Sequence, residues 1–172
     1  DKRHYRQVTE NLRLAFPELE ETQRNNLREQ IYRHFSFIVT EWLYMFAHHR
    51  RPPGSIPIEL ANPHHLQTVL DLGRGGILVS AHFGNWELIP YVLKDILPSP
   101  LIAVARPMNN PLIENIVSRF RKFMGSQIIY KKGALRKILR HLDDNRLIYL
   151  LADQNAVPRE AVFVDFLRQK VS

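Results

Sequence analysis

Four short apolar runs, 77–81, 101–105, 127–130 and 147–152, alternate with segments of helical periodicity, and this constrains the fold more than any other feature. Short apolar runs bounded by turn residues suit strands covered on both faces. Parallel strands need long crossovers, and the helical segments 85–94, 110–124 and 134–143 supply them. The expected class is α/β, a mainly parallel sheet covered by helices. Asn62-Pro63 and Asn110-Pro111 pair a capping asparagine with a proline at the first helical position, so a helix is expected from each, the first ending near Gly73.

The chain before residue 60 is helical in pattern. Tyr5, Val8, Leu12 and Ala15 make one face, which ends at Phe16-Pro17. A long helix is expected from about Gln23 to His48, with Leu27, Ile31, Phe35, Ile38, Val39, Trp42, Leu43 and Phe46 at helical spacing. Its tip, Trp42 to Phe46, is apolar nearly all round and is followed by His48-His49-Arg50-Arg51. Core packing is the ordinary use of such a tip, and contact with an anionic interface is the other. Arg51 to Ser55 is a proline- and glycine-bearing turn or linker. Ala161 to Phe166 is expected to be extended. We expect one domain over 1–172, incomplete, made of a helical segment (1–60) and an α/β core (61–172).

The chain has 172 residues, 45% of them hydrophobic, and a formal charge of +7. That is a globular composition with a basic surface, suited to polyanionic partners such as nucleic acid, anionic lipid or an acidic protein. Cysteine is absent, which excludes disulfides, thiolate metal sites and a thiol acyl-enzyme. No zinc-ligand spacing, phosphate loop, dinucleotide fingerprint or nucleophile elbow occurs, so neither a metal nor a nucleotide cofactor is expected. Zinc-finger and RNA-recognition signatures are missing as well, and no nucleic-acid partner is expected.

Chemistry gathers at the carboxyl ends of strands in open α/β sheets. His82 stands at the end of the first apolar run and Glu87 in the first turn of the next expected helix, with Asn85 as its cap. A histidine beside a carboxylate is a kit for taking a proton from a hydroxyl, although a Glu in a first turn is also favoured by the helix dipole alone. Arg106 and Asn110 follow the second run, Arg119 and Arg121 lie on the helix after it, and Asp153-Gln154-Asn155 follows the fourth.

These residues, taken in order, resemble the bacterial lipid A biosynthesis lauroyl/myristoyl acyltransferases. The resemblance rests on Ala81-His82-Phe83-Gly84-Asn85-Trp86-Glu87, Ala105-Arg106-Pro107 with Asn110, Ala152-Asp153-Gln154 and Val162-Phe163-Val164, with Asn11 to Leu19 fitting the stretch after the family's membrane anchor. It departs at Asn155, where the family often has Asp, and at Asp165, Leu167 and Arg168, where the family usually reads Pro, Phe and Gly.

The resemblance implies a glycerolipid-acyltransferase-like fold and an enzyme at the cytoplasmic face of the bacterial inner membrane, its anchor outside this chain. It implies transfer of a fatty acyl group from acyl carrier protein, with no other cofactor, to a hydroxyl of a lipid A precursor. His82 would be the general base and Glu87 would orient its imidazole. Arg121 and Asp153 would complete the catalytic set, while Arg106, Asn110, Gln154 and Arg119 would bind substrate, with Lys131 and Lys132 near enough to help with phosphates. Backbone N–H groups near Asn85, or Arg121, would meet the thioester oxyanion. An acyltransferase for another glycolipid or aminolipid, and a basic lipid- or nucleic-acid-binding module, are the competing readings. His82 and Glu87 are expected to hydrogen-bond directly or through water, with Arg121 and Asp153 in reach of the same crevice.

Overall fold

The computed structural model describes residues 2–48, 58–154 and 161–171. The expected linker at 51–55, the cationic run 49–51 and Asn155 lie outside the described residues. The chain divides into two units, 1–47 with 154–172, and 48–153.

In the first unit, α1 (Lys2–Ala15) and α2 (Glu21–Ala47) match the two expected helices, and Pro17 falls in the turn between them. Arg28 pins the pair. Its guanidinium lies 4.1 Å from the Tyr5 ring centroid and donates to Thr9 Oγ1 at 3.1 Å. Of the C-terminal half of α2 only Ile38 and Met45 are buried. Tyr32, Phe35, Val39, Leu43 and Phe46 form an exposed stripe along one side. The expected extended stretch is β5 (Val164–Phe166), and it pairs antiparallel with a strand the sequence pattern did not disclose, β6 (Gln169–Val171). Leu167 and Arg168 make the turn, both with positive φ (48° and 61°). Positive φ at both central residues is the type I′ hairpin pattern, a backbone that glycine adopts most readily.

The second unit is the α/β core. Its sheet holds β1 (Gly76–Ser80), β2 (Leu101–Ala105), β3 (Ser126–Tyr130) and β4 (Leu147–Leu151), all parallel, in the order β1-β4-β2-β3. Each strand lies within a residue of its expected bounds. One face packs Leu101, Leu147 and Tyr149 against α3 (His64–Asp71) and α4 (Ile89–Leu93). The other packs Ile102, Ile129 and Ile148 against α6 (Ala134–Asp143). Ile102 and Ile148 are 0% exposed, and burying a side chain of that size contributes about 1.5–3 kcal/mol. The remaining helix, α5 (Pro111–Phe123), begins at Asn110, whose Oδ1 accepts from the Leu112 and Ile113 amides.

Two expected caps form differently. Asn62 takes a positive φ of 54°, and α3 starts after Pro63 with no side-chain cap. Asn85 makes no capping hydrogen bond either. The helix expected over 85–94 is a 3₁₀ turn, Trp86–Leu88, running into the five-residue α4, because Pro90 cannot donate to an earlier carbonyl.

Gly75 sets the entry to β1 with φ +68°, where a Cβ would sit 2.7 Å from the Leu142 carbonyl oxygen and 2.9 Å from that of Arg146. Gly73 has a similar φ, +62°, with open space around it. Gly73→Ala should cost about 1–2 kcal/mol for the left-handed backbone alone. Gly75→Ala should cost about 1–3 kcal/mol more, since rigid backbone must also move. Urea denaturation of the two variants measures the difference, and equal losses would mean that the Leu142–Arg146 segment yields freely.

Candidate active site

Register builds the site. In the β1–β4 pair Ser80 stands opposite Leu151, and the Ala152 amide donates to the Ser80 carbonyl at 3.0 Å, extending the ladder. His82 and Asp153 each lie two residues past that pair, and so meet at the carboxyl ends of adjacent strands. Asp153 Oδ1 is 2.7 Å from His82 Nδ1, and Oδ2 accepts from the His82 backbone amide at 2.7 Å. Partial burial pushes the Asp153 pKa up, but the hydrogen bonds from the His82 ring and amide outweigh it and hold the carboxyl below its usual value. An ionised carboxylate on Nδ1 favours the tautomer with its proton there and the lone pair on Nε2. The Trp86 ring meets the imidazole edge-on, with centroids 4.8 Å apart.

The expected partner of the imidazole was Glu87, and the structure gives each of the two a different bonded partner. The carboxylate on Nδ1 belongs to Asp153. Glu87 sits in the 3₁₀ turn, 8% exposed, where its carboxylate is taken by Arg121 of α5. Arg121 Nη2 lies 2.6 Å from Oε1, and Nε lies 3.2 Å from both oxygens. A permanently charged, planar donor outcompetes an imidazole for a carboxylate within its reach. The four expected catalytic residues thus form two pairs, His82–Asp153 and Glu87–Arg121, joined by the short segment 82–87.

Tyr149, on β4, supports that segment from below. It is 5% exposed and its hydroxyl donates to the Trp86 carbonyl at 3.3 Å. Burial raises its pKa, the Ser80 hydroxyl lowers it, and the charges of Glu87 and Asp153 raise it further. Its sequence signal was a lone phenol within an apolar run. A cleft of about 40 Å³ lies against the Glu87–Arg121 pair, lined also by Pro90, Ala103, Ser126 and Tyr149. That is room for a few waters rather than for an acyl chain.

The remaining expected residues are spread more widely. Arg106 and Arg119 are exposed and form no ion pair with a described residue. Asn110 spends its side-chain oxygen on the α5 cap. Gln154 is exposed on the bend after Asp153 and groups with the first unit. Lys131 and Lys132 are exposed in the turn after β3. No group of three or more metal-ligating side chains occurs among the described residues.

A residue that sequence reasoning missed organises the loop after β2. Glu114, in the first turn of α5, accepts from the Met108 amide at 2.6 Å, the Ser118 hydroxyl at 2.7 Å and the Tyr130 hydroxyl at 2.8 Å. These donors, Met108 first, pull its pKa from 4.5 to about 2. A depressed folded pKa gives stability that is fully present above about 4.5 and is lost as pH falls toward 2. The melting-temperature gap between wild type and Glu114→Gln should therefore be constant above pH 5 and shrink steadily below it. A gap that does not change down to pH 2.5 would show that the carboxylate charge is not what holds the loop.

Residues 1–171 match the family described as bacterial lipid A biosynthesis acyltransferase. The chain is 27% identical over 165 residues to the lipid A biosynthesis lauroyltransferase of Escherichia coli K12, covering 95% of this chain and 52% of that protein. It is 30% identical over 106 residues to the phosphatidylinositol mannoside acyltransferase of Mycolicibacterium smegmatis, covering 59% of this chain and 34% of that protein. It thus spans about half or less of the length of these relatives. The matched stretch takes in both carboxylate pairs and the strand ends that hold them, and the chain belongs to the bacterial lipid A biosynthesis acyltransferase family.

Proposed function

We propose that this chain carries the catalytic site of an enzyme that moves a fatty acyl group from the thioester of acyl carrier protein to a hydroxyl of a lipid A precursor. The single observation that carries the chemistry is the Asp153 carboxylate on His82 Nδ1. It leaves Nε2 basic, and Nε2 takes the acceptor's O–H proton as that oxygen attacks the thioester carbonyl. The tetrahedral intermediate collapses with cleavage of the C–S bond, and the imidazolium returns its proton to the departing thiolate. Asp153 orients the ring and stabilises its cation. Arg121 spends Nε and Nη2 on Glu87, which fixes the guanidinium and leaves Nη1 for the oxyanion. With no cysteine in the chain, direct transfer without an acyl-enzyme is the simplest course. Arg106 and Arg119 are the cations best suited to acceptor phosphates.

A second acceptor is favoured by one observation, the likeness to a phosphatidylinositol mannoside acyltransferase. Mass spectrometry of lipids formed from each acceptor by the enzyme carrying this chain separates the two.

His82→Ala should abolish transfer. Asp153→Asn should lower kcat by about 10²–10⁴-fold, the range for a general base that has lost its set-up. Glu87→Gln should be milder than His82→Ala and should show its defect with every acceptor. Turnover of carrier-bound acyl groups within a few-fold of wild type in His82→Ala would sink the assignment.

The proposed acceptor is a lipid, and with it we assign the enzyme to the cytoplasmic face of the inner membrane. No helix among the described residues is long and apolar enough to cross a membrane. Contact then falls to the exposed stripe of α2, where Leu43 is 66% and Phe46 50% exposed. Each basic residue near an anionic leaflet adds about 1 kcal/mol. Sedimentation with anionic vesicles should pull this chain down at low salt and less as salt rises, and Leu43→Ser with Phe46→Ser should weaken it severalfold. Binding equal to wild type in that double variant would show that another surface of this chain, not the stripe, meets the vesicle.

A further inference from the structure

The helix α6 has two unlike sides. Ala134, Ile138 and Leu142 face the sheet. Leu135 and Leu139, one turn apart, are 70% and 53% exposed, and with Arg136, Arg140 and Asp143 they line a shallow groove of about 430 Å³. Lys137 is exposed beside it, as are Lys131 and Lys132 in the turn before the helix. None of these five cations forms an ion pair with a described residue. The amino-terminal end of this surface is tied to the site by topology. The Lys131 amide donates to the Ala105 carbonyl at 2.9 Å, so the cationic turn lies at the carboxyl ends of β2 and β3, the sheet end that also carries His82 and Asp153.

We propose that the outer side of α6, with Leu135 and Leu139 at its centre and Arg136, Lys137 and Arg140 around them, docks the acidic carrier protein that delivers the acyl thioester. The assignment rests on the proposed function and names the surface its donor uses. Uncompensated cations match an acidic partner and steer its approach. The exposed leucine pair supplies the apolar centre that a protein interface needs and a small anion does not. The helix has no aromatic residue, in contrast to the stripe of α2, and interfacial membrane helices characteristically carry them.

The test is steady-state kinetics of the full-length enzyme carrying this chain, with two donors: acyl carrier protein and the same acyl group on pantetheine. Arg136→Glu with Arg140→Glu should raise KM for the carrier at least tenfold, with kcat and the pantetheine KM unchanged. Added salt should raise the carrier KM of the wild type and have little effect on that of the variant. Arg136→Gln with Arg140→Gln should fall between. Equal losses with both donors, or no change with either, would overturn the surface, as would a carrier KM that holds while anionic-vesicle binding drops. A wild type that transfers acyl groups from neither thioester would instead overturn the function, and direct titration with the carrier would still test the surface.

Discussion

The parallel pairing of β1 with β4 is the constraint on which everything at the site depends. It sets Ser80 opposite Leu151, and from there two short, similar exits carry His82 and Asp153 to the same point. Both oxygens of Asp153 bind His82, one to the ring and one to the backbone amide, so the carboxylate fixes the place of the residue as well as the tautomer of its imidazole. Side-chain packing alone would leave the ring free to turn about χ2. Two hydrogen bonds from one rigid strand end to another do not.

The second pair has a different physical character. Glu87 and Arg121 are largely out of water, with side chains 10% and 22% exposed, and the guanidinium addresses both carboxylate oxygens. Removing one partner of such a pair typically costs about 3–5 kcal/mol, because the other charge is left buried. The exposed remainder of Arg121 reduces that figure here. The pair ties α5 to the segment after His82, while Tyr149 ties that segment to β4. The segment after His82 is thus held from two sides by polar contacts beneath an apolar ring, Trp86, lying against the imidazole.

The strands, their order along the chain and the helices between them were legible because covered parallel strands leave uninterrupted apolar runs, and Leu101–Ala105 was found to the residue. The helix start at Asn110 was legible for the same local reason, since cap and proline act within four residues. What the sequence did not disclose was partnership. The spacing of His82 and Glu87 suggested a bond within one segment, and only the β1–β4 register reveals that Asp153, 71 positions away, holds the ring. Glu114 escaped notice because an acid in a first helical turn is ordinary, and its donors come from the loop after β2, the helix itself and the end of β3. Asn85 does stand at the N-cap position its spacing suggested, but with an extended-side backbone (φ −99°, ψ 78°) and no side-chain bond to the turn it starts.

The strand order β1-β4-β2-β3 also sets a timetable for synthesis. The β2–α5–β3 unit can close on itself as soon as it is made, since its paired residues are near in sequence. By contrast β1 has its only sheet neighbour in β4 among the described strands, and β4 is made last of the four. At about 5–20 residues per second, the 71 positions separating His82 from Asp153 correspond to about 4–14 s of translation. For that interval the apolar strand Gly76–Ser80 has left the ribosome without a partner, a template for wrong pairings and for chaperone capture. The contact between His82 and Asp153 therefore forms only once β4 is made, and its appearance during synthesis would serve as a clock for completion of the sheet.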